Sequence, residues 1–165
     1  MHFVGDSHQP LHSETLVDSE YPAGDRGGNS VTLPSHYTAK NLHAVWDKVV
    51  YEFHVNPKTP FTDSVFQKFE NDVDGLLERN PVSSLNDITN LDPKQWEAES
   101  FEIVSTFAYK GVHAGEALSA EYTKEGQLLA EKQLVTAGHR LANLLKTLKI
   151  KNLSIPSSDT LFLQE

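Results

Sequence analysis

Apolar residues recur at three- and four-residue spacing along four stretches of the chain, and nowhere do they alternate strongly enough to build a sheet. That periodicity confines the fold to packed helices, an all-α class. Over residues 40–54, Leu42, Val45, Trp46, Val49, Val50 and Phe53 share one helical face, and Pro57 lies just past the end. Thr62 is a candidate N-cap for a second helix that carries Val65, Phe66, Phe69, Val73, Leu76 and Leu77 inward until Asn80-Pro81 stops it, with Gly75 weakening it slightly. Asp92-Pro93, a cap followed by a first-turn proline, opens a third helix through Trp96, Phe101, Val104, Phe107 and Ala108 to about Gly111. The longest is expected over 122–149, with Leu128, Leu129, Leu134, Val135, Leu141, Leu144, Leu145 and Leu148 inside and Lys or Glu outside.

Ahead of these helices the pattern is different. His2 to Gln9 has helical character that Pro10 cuts short, so the chain reads as starting inside an element. Residues 13–37, rich in Gly, Ser, Pro and Asp, read as a long irregular loop, and loops of that length in compact domains usually serve function. With 165 residues, 38% of them hydrophobic, one core is expected rather than two. Residues 1–150 are therefore read as one domain and 151–165 as a polar tail.

Charge and cysteine content narrow the chemistry. Fourteen Lys and Arg against 23 Asp and Glu give a net charge of −9, which excludes a protein that grips nucleic acid on a broadly basic surface. With no cysteine, neither a disulfide framework nor a thiolate metal site is available, so metal ligands must come from His, Asp and Glu. No apolar run approaches a membrane span, and residues 1–12 lack the order of a signal peptide.

His2 and Asp6 are four residues apart, as are His43 and Asp47, so each pair projects from one helical face wherever its segment is helical. Taken singly, such pairs are more often surface ion pairs or caps than ligands. His2, Asp6, His8 and His12, however, fall within eleven residues beside the irregular loop, and imidazole nitrogen with carboxylate oxygen suits Zn²⁺. Trp46, next to Asp47, reads as core. His8 is read as a satisfied structural histidine, with orientation of a ligand as the alternative. His36, His54, His113 and His139 are assigned to surface or core.

Three ordered blocks then carry a resemblance. The run from His2 to His12 (HFVGDSHQPLH), Asp25-Arg26-Gly27-Gly28-Asn29, and Asn41-Leu42-His43-Ala44-Val45-Trp46-Asp47 closely resemble the signature of the S1/P1 nucleases. Trp96 to Ser100 and Ala137 to Ala142 extend it more weakly, as markers of fold. The resemblance implies a compact multi-helix domain of the phospholipase C/P1 nuclease type that holds three zinc ions. His2 and Asp6 match ligands of one ion, Asp6 also bridging to a second, and His12, His43 and Asp47 match the ligands of the third. Asn29 and the glycines before it are candidates for shaping a substrate cleft, against the plainer role of a tight turn.

By the same resemblance, the expected activity is endonucleolytic hydrolysis of single-stranded DNA or RNA to 5′-phosphate products, with 3′-nucleotidase activity alongside, and metal ions would supply the positive charge that the surface lacks. The family's other ligands lie in its amino-terminal part, upstream of Met1, so a truncated domain with one complete site, impaired zinc affinity and weak activity is expected. Exposed apolar surface on the remaining helices is expected with it. A zinc-dependent phospholipase C and a non-catalytic zinc-binding helical remnant are the rival readings. Family members are secreted or periplasmic, and Asn152-Leu153-Ser154 is a glycosylation sequon. No protein partner is suggested.

Overall fold

The computed structural model describes residues 2–34, 38–51 and 60–148. These residues form helices α1 (His2–Asp6), α2 (Pro10–Ser13), α3 (Leu42–Trp46), α4 (Asp63–Arg79), α5 (Pro93–Ile103) and α6 (Ala120–Thr147), with no strand among them. An isolated antiparallel bridge between Thr32 and Asn41 closes the loop that joins α2 to α3. The all-α expectation holds, and the caps are those the sequence announces. Thr62 Oγ1 accepts from the Val65 amide at 3.4 Å, and the Asp92 carboxylate accepts from the Lys94 amide at 3.1 Å, with Pro93 opening α5. A π-helical turn over Val104–Ala108 carries α5 on toward Tyr109. No helix of the described residues is long and apolar enough to cross a membrane.

The helix expected over 40–54 is not continuous. Asn41 caps α3, its side-chain oxygen accepting from the Ala44 amide at 2.8 Å, but the helix stops at Trp46 and a 3-10 turn follows over Val49–Tyr51. Val49 and Val50 both sit at φ 50°, the left-handed region that β-branched residues seldom enter. Packing compensates for that strain. Val50 is fully buried, Gln127 Nε2 donates to its carbonyl at 3.2 Å, and Gly126 of α6 lets it approach, since a Cβ there would lie 3.3 Å from both valine methyls. The apolar period runs on through the kink, which is why the sequence does not betray it; residues 52–54 lie outside the described residues.

The inward faces expected for α4 and α6 also need correction. On α4 only Leu76 is buried, while Phe66, Phe69 and Leu77 are exposed. On α6, Leu128, Leu134, Leu145 and Leu148 face outward. The buried face of α6 keeps Val135, as expected, and otherwise carries Tyr122, Gly126, Ala130 and Ala137 with Glu131, Gln133, Thr136 and Arg140. Small side chains admit the neighbouring backbone, and the buried polar groups are satisfied there: the Glu131 carboxylate takes Arg79 and Asn80 from the end of α4. Exposed apolar side chains are present on α1 and α4 at Phe3, Phe66 and Phe69.

The core gathers Leu11, Val31, Leu33, Leu42, Val45, Trp46, Val50, Phe107 and Tyr122. Trp46 is a core residue, as its sequence context suggests. Its indole Nε1 donates to the Tyr122 hydroxyl at 3.0 Å, and that hydroxyl donates to the Ala108 carbonyl at 2.7 Å. Burial pushes the Tyr122 phenol well above its ordinary pKa, so it stays a neutral donor. Through Trp46 this cluster fixes the backbone of Asp47.

Candidate metal centre

Three short elements bring the candidate ligands together. Pro10 ends the path of α1 and starts α2, because a residue without an amide proton suits the first helical turn. Gln9 caps that turn, its Oε1 accepting from the Leu11 amide at 2.6 Å, while its Nε2 donates to Asp47 Oδ1 at 3.0 Å. On α1, His2 Nε2 lies 2.9 Å from Asp6 Oδ2. On α2, His12 turns Nδ1 toward Asp6 Oδ1 at 3.7 Å and Nε2 toward Asp47 Oδ1 at 3.1 Å. His43 on α3 stacks on His12 with ring centroids 5.0 Å apart, and its Nε2 is 3.7 Å from Oδ2 of Asp47, the C-cap of the same helix.

The loop Asp25–Gly28 holds α2 and α3 in register. His43 Nδ1 donates to the Gly27 carbonyl at 2.7 Å, which directs Nε2 to the ligand cluster. Arg26, Gly27 and Gly28 all have positive φ, at 62°, 62° and 81°. At Gly27 the glycine is required twice over, since a Cβ would also come within 2.3 Å of the Leu11 carbonyl oxygen. Asp25 anchors the loop from beneath. Fully buried, its carboxylate accepts from Thr15 Oγ1, the Leu16 amide, the Gly28 amide and the Tyr109 hydroxyl at 2.7–3.0 Å. Burial by itself raises a carboxylate pKa, but here the four donors outweigh it and hold Asp25 below its ordinary value.

A second buttress lies behind the turn from α1 to α2. His8 is buried and donates from Nδ1 to the Val4 carbonyl at 2.7 Å, so its Nε2 accepts from Arg140 Nη1 at 2.8 Å. Burial is the main force lowering the His8 pKa, with the nearby Arg140 charge adding to it, in keeping with a neutral ring. Arg140, fully buried in α6, forks onto Glu99 of α5 at 2.8 and 2.9 Å and also donates to the Asp87 carbonyl. Ser100 Oγ donates to the Ser7 carbonyl at 3.0 Å and Gln133 Nε2 to the His8 carbonyl at 3.3 Å. The turn that presents Asp6 and His12 is thus strapped to α5 and α6.

Among the described residues, His12, His43 and Asp47 form a group whose ligand atoms all lie within 4.8 Å of one another, with Asp6 adjoining through His12 and His2 through Asp6. Two imidazole nitrogens and a carboxylate oxygen, partly open to solvent, are a donor set that fits a divalent metal with positions left for water or substrate. Asn29 sits in the turn itself, its Nδ2 donating to the Arg26 carbonyl at 2.9 Å. His113 is exposed and His139 half-buried; His36 and His54 lie outside the described residues. Gln9, Asp25, Glu99 and Arg140 were not singled out from the sequence. Glu99 and Arg140 do fall in the two weaker blocks, but an ion pair between residues 41 apart leaves no local spacing to read. Beside the group opens a cleft of about 1110 Å³, lined in part by Asp6, His12, Arg26, His43 and Trp96.

Comparison with known proteins gives this geometry a context. The family profile described as S1/P1 Nuclease matches residues 1–149. The chain is 31% identical over 147 residues to Endonuclease 1 of Arabidopsis thaliana, an overlap of 87% of this chain and 46% of that protein. To Endonuclease 4 of the same plant it is 31% identical over 149 residues, covering 87% and 47%. To Nuclease S1 of Aspergillus oryzae (strain ATCC 42149 / RIB 40) it is 26% identical over 159 residues, covering 86% and 50%. The chain spans about half the length of the curated relatives it matches.

Proposed function

The chain belongs to the S1/P1 nuclease family, and on that premise we propose that it serves the zinc-dependent hydrolysis of phosphodiester bonds in single-stranded DNA or RNA, leaving 5′-phosphate ends. The observation that carries this reading is the meeting of His12 from α2 with His43 and the C-cap Asp47 from α3 at the edge of an open cleft. A thiolate-free set of two imidazoles and a carboxylate accepts zinc, and zinc is proposed here on the resemblance, with one complete site on this chain and His2 and Asp6 contributing to its neighbours. Zinc held there would supply Lewis acidity and the local positive charge that a chain at −9 lacks.

The chain's own residues prepare that site. Gly27 fixes the tautomer of His43, so Nε2 is the free nitrogen. Asp6 stands at His12 Nδ1, and Gln9 steadies the Asp47 carboxylate by donating to Oδ1. A strand with unstacked bases is the substrate proposed for the cleft, and 3′-nucleotidase activity is proposed for the same centre. Secretion or export to a periplasm is proposed with the function, from the same resemblance.

The test is zinc content by elemental analysis together with hydrolysis of single-stranded DNA, with phosphatidylcholine as the competing diester. Bound zinc, 5′-phosphate ends and loss of cutting in His12→Ala are the expected results. Cleavage of phosphatidylcholine in place of DNA, or tight stoichiometric zinc with no hydrolysis of either, would overturn the reading.

A further inference from the structure

Arg26 is poorly placed for a purely structural role. It is one of three non-glycine residues with positive φ among those described, and unlike Val49 and Val50 it is exposed. A turn alone would be better served there by glycine, asparagine or aspartate. Its backbone is nevertheless held on every side. The amide donates to Thr15 Oγ1 at 3.0 Å, the carbonyl accepts from Asn29 Nδ2 at 2.9 Å, and the flanking residues are the buried Asp25 and the Gly27 that bonds His43. The Cα of Arg26 is therefore fixed relative to a candidate metal ligand.

The side chain, by contrast, is uncommitted. Its guanidinium makes no ion pair or hydrogen bond among the described residues. It lines the same cleft as Asp6, His12 and His43, where the other charged side chains among the described residues are the carboxylates Glu14 and Glu97. In a chain of net charge −9, Arg26 is the permanent cation that lines this cleft among the described residues. A planar fork of donors on a pre-set backbone matches the oxygens of a phosphodiester.

We propose that Arg26 binds a backbone phosphate of the nucleic-acid strand lying in this cleft. The proposal rests on the nuclease reading above and adds to it a strand-gripping contact made by protein rather than metal. It makes a specific claim about salt. Binding through one phosphate fewer lowers the slope of log affinity against log salt by about 0.7 for a single strand.

The experiment is fluorescence-anisotropy titration of the zinc-loaded chain with a phosphorothioate oligothymidylate, which resists hydrolysis, over a series of salt concentrations. Arg26→Gly removes the guanidinium and accepts φ 62° without steric cost, so it should melt no lower than the parent by more than a few degrees. It should bind roughly tenfold more weakly at low salt, with the slope reduced by about 0.7. Arg26→Lys, which keeps the charge, should retain most of the slope. An Arg26→Gly variant with the parent's slope and affinity overturns the proposal while leaving the nuclease reading intact. A parent that binds no oligonucleotide at all overturns the nuclease reading, and the proposal falls with it.

Discussion

His43 Nδ1 donates to the carbonyl of Gly27 at 2.7 Å. That single bond couples the ligand cluster to a loop whose other end is anchored on a buried carboxylate, Asp25, which accepts a hydrogen bond from the Tyr109 hydroxyl beyond the π turn of α5. The candidate metal centre is therefore built on short elements, α1, α2 and α3, that would be marginal helices alone and are ordered by their ties to the longer ones.

Gly27→Ala tests the coupling. The added methyl meets the Leu11 carbonyl oxygen at 2.3 Å, a backbone atom that cannot move without displacing α2 and His12, and φ 62° adds strain. A loss of about 3 kcal/mol is expected, with the melting temperature down by roughly 6–12 °C. Zinc affinity, measured by isothermal titration below the melting range, should fall with it. An alanine variant with parental stability and zinc binding would show that the loop does not set the ligand geometry.

Removing a ligand should separate stability from metal binding. His12→Ala deletes a ring that is partly exposed and makes no core contact beyond its stacking on His43, so the metal-free protein should melt within about 1–2 °C of the parent. Its zinc affinity should fall by more than the roughly 10–100-fold that loss of an outer-shell partner costs. Asp47→Asn should act in the same direction. Equal zinc affinity in parent and His12→Ala would place the metal elsewhere.

The helical class, the N-caps Thr62 and Asp92 and the stop at Asn80 could be read from sequence because each rests on local signals. The i to i+4 pairs, His2 with Asp6 and His43 with Asp47, were legible as spacing, whereas the grouping of His12 with His43 and Asp47 came only through the resemblance. Apart from Val135, the buried face of α6 could not be so read. Its leucines satisfy the helical period, yet the face that packs is chosen by what the other helices bring to it, and they bring Arg79 for Glu131, and Glu99 and His8 for Arg140. Left-handed Val49 and Val50 are hidden for a similar reason, since only the burial of Val50 against Gly126 makes their conformation tolerable. Asp25 was visible as a letter in a motif, but its four donors come from positions scattered along the chain.

Asp25 should give the metal-free protein a pH signature. Its folded pKa is depressed, so the stability it contributes is complete well above the ordinary aspartate value of about 3.9 and is lost as pH falls through that value toward the folded one. Asp25→Asn turns an amide toward the Gly28 amide and leaves donors facing donors, a cost on the order of 3 kcal/mol at neutral pH. Thermal melts in chelator should show the gap between parent and variant narrowing as pH drops from about 6 to about 3. A gap that stays constant across that range would mean that the carboxylate is not the charged acceptor described.

The Arg140 network makes the strongest claim about action at a distance, because its residues contact no candidate ligand directly. Arg140→Met leaves Glu99 without its cation, the Asp87 carbonyl without its donors and His8 Nε2 without its hydrogen-bond donor. Breaking a buried pair by removing one partner typically costs about 3–5 kcal/mol, and for a chain of this size that lowers the melting temperature by roughly 6–20 °C. Pairing it with Glu99→Leu removes the stranded charge, so the double variant should recover part of the loss, a departure from additivity of about 1–3 kcal/mol. Zinc affinity should not recover in parallel, because His8 still lacks the contact that fixes the turn carrying Asp6 and His12. Recovery of both together would mean that the network supplies stability alone. Recovery of the melting temperature without recovery of zinc binding would establish Arg140 as a positioning residue for the candidate metal centre.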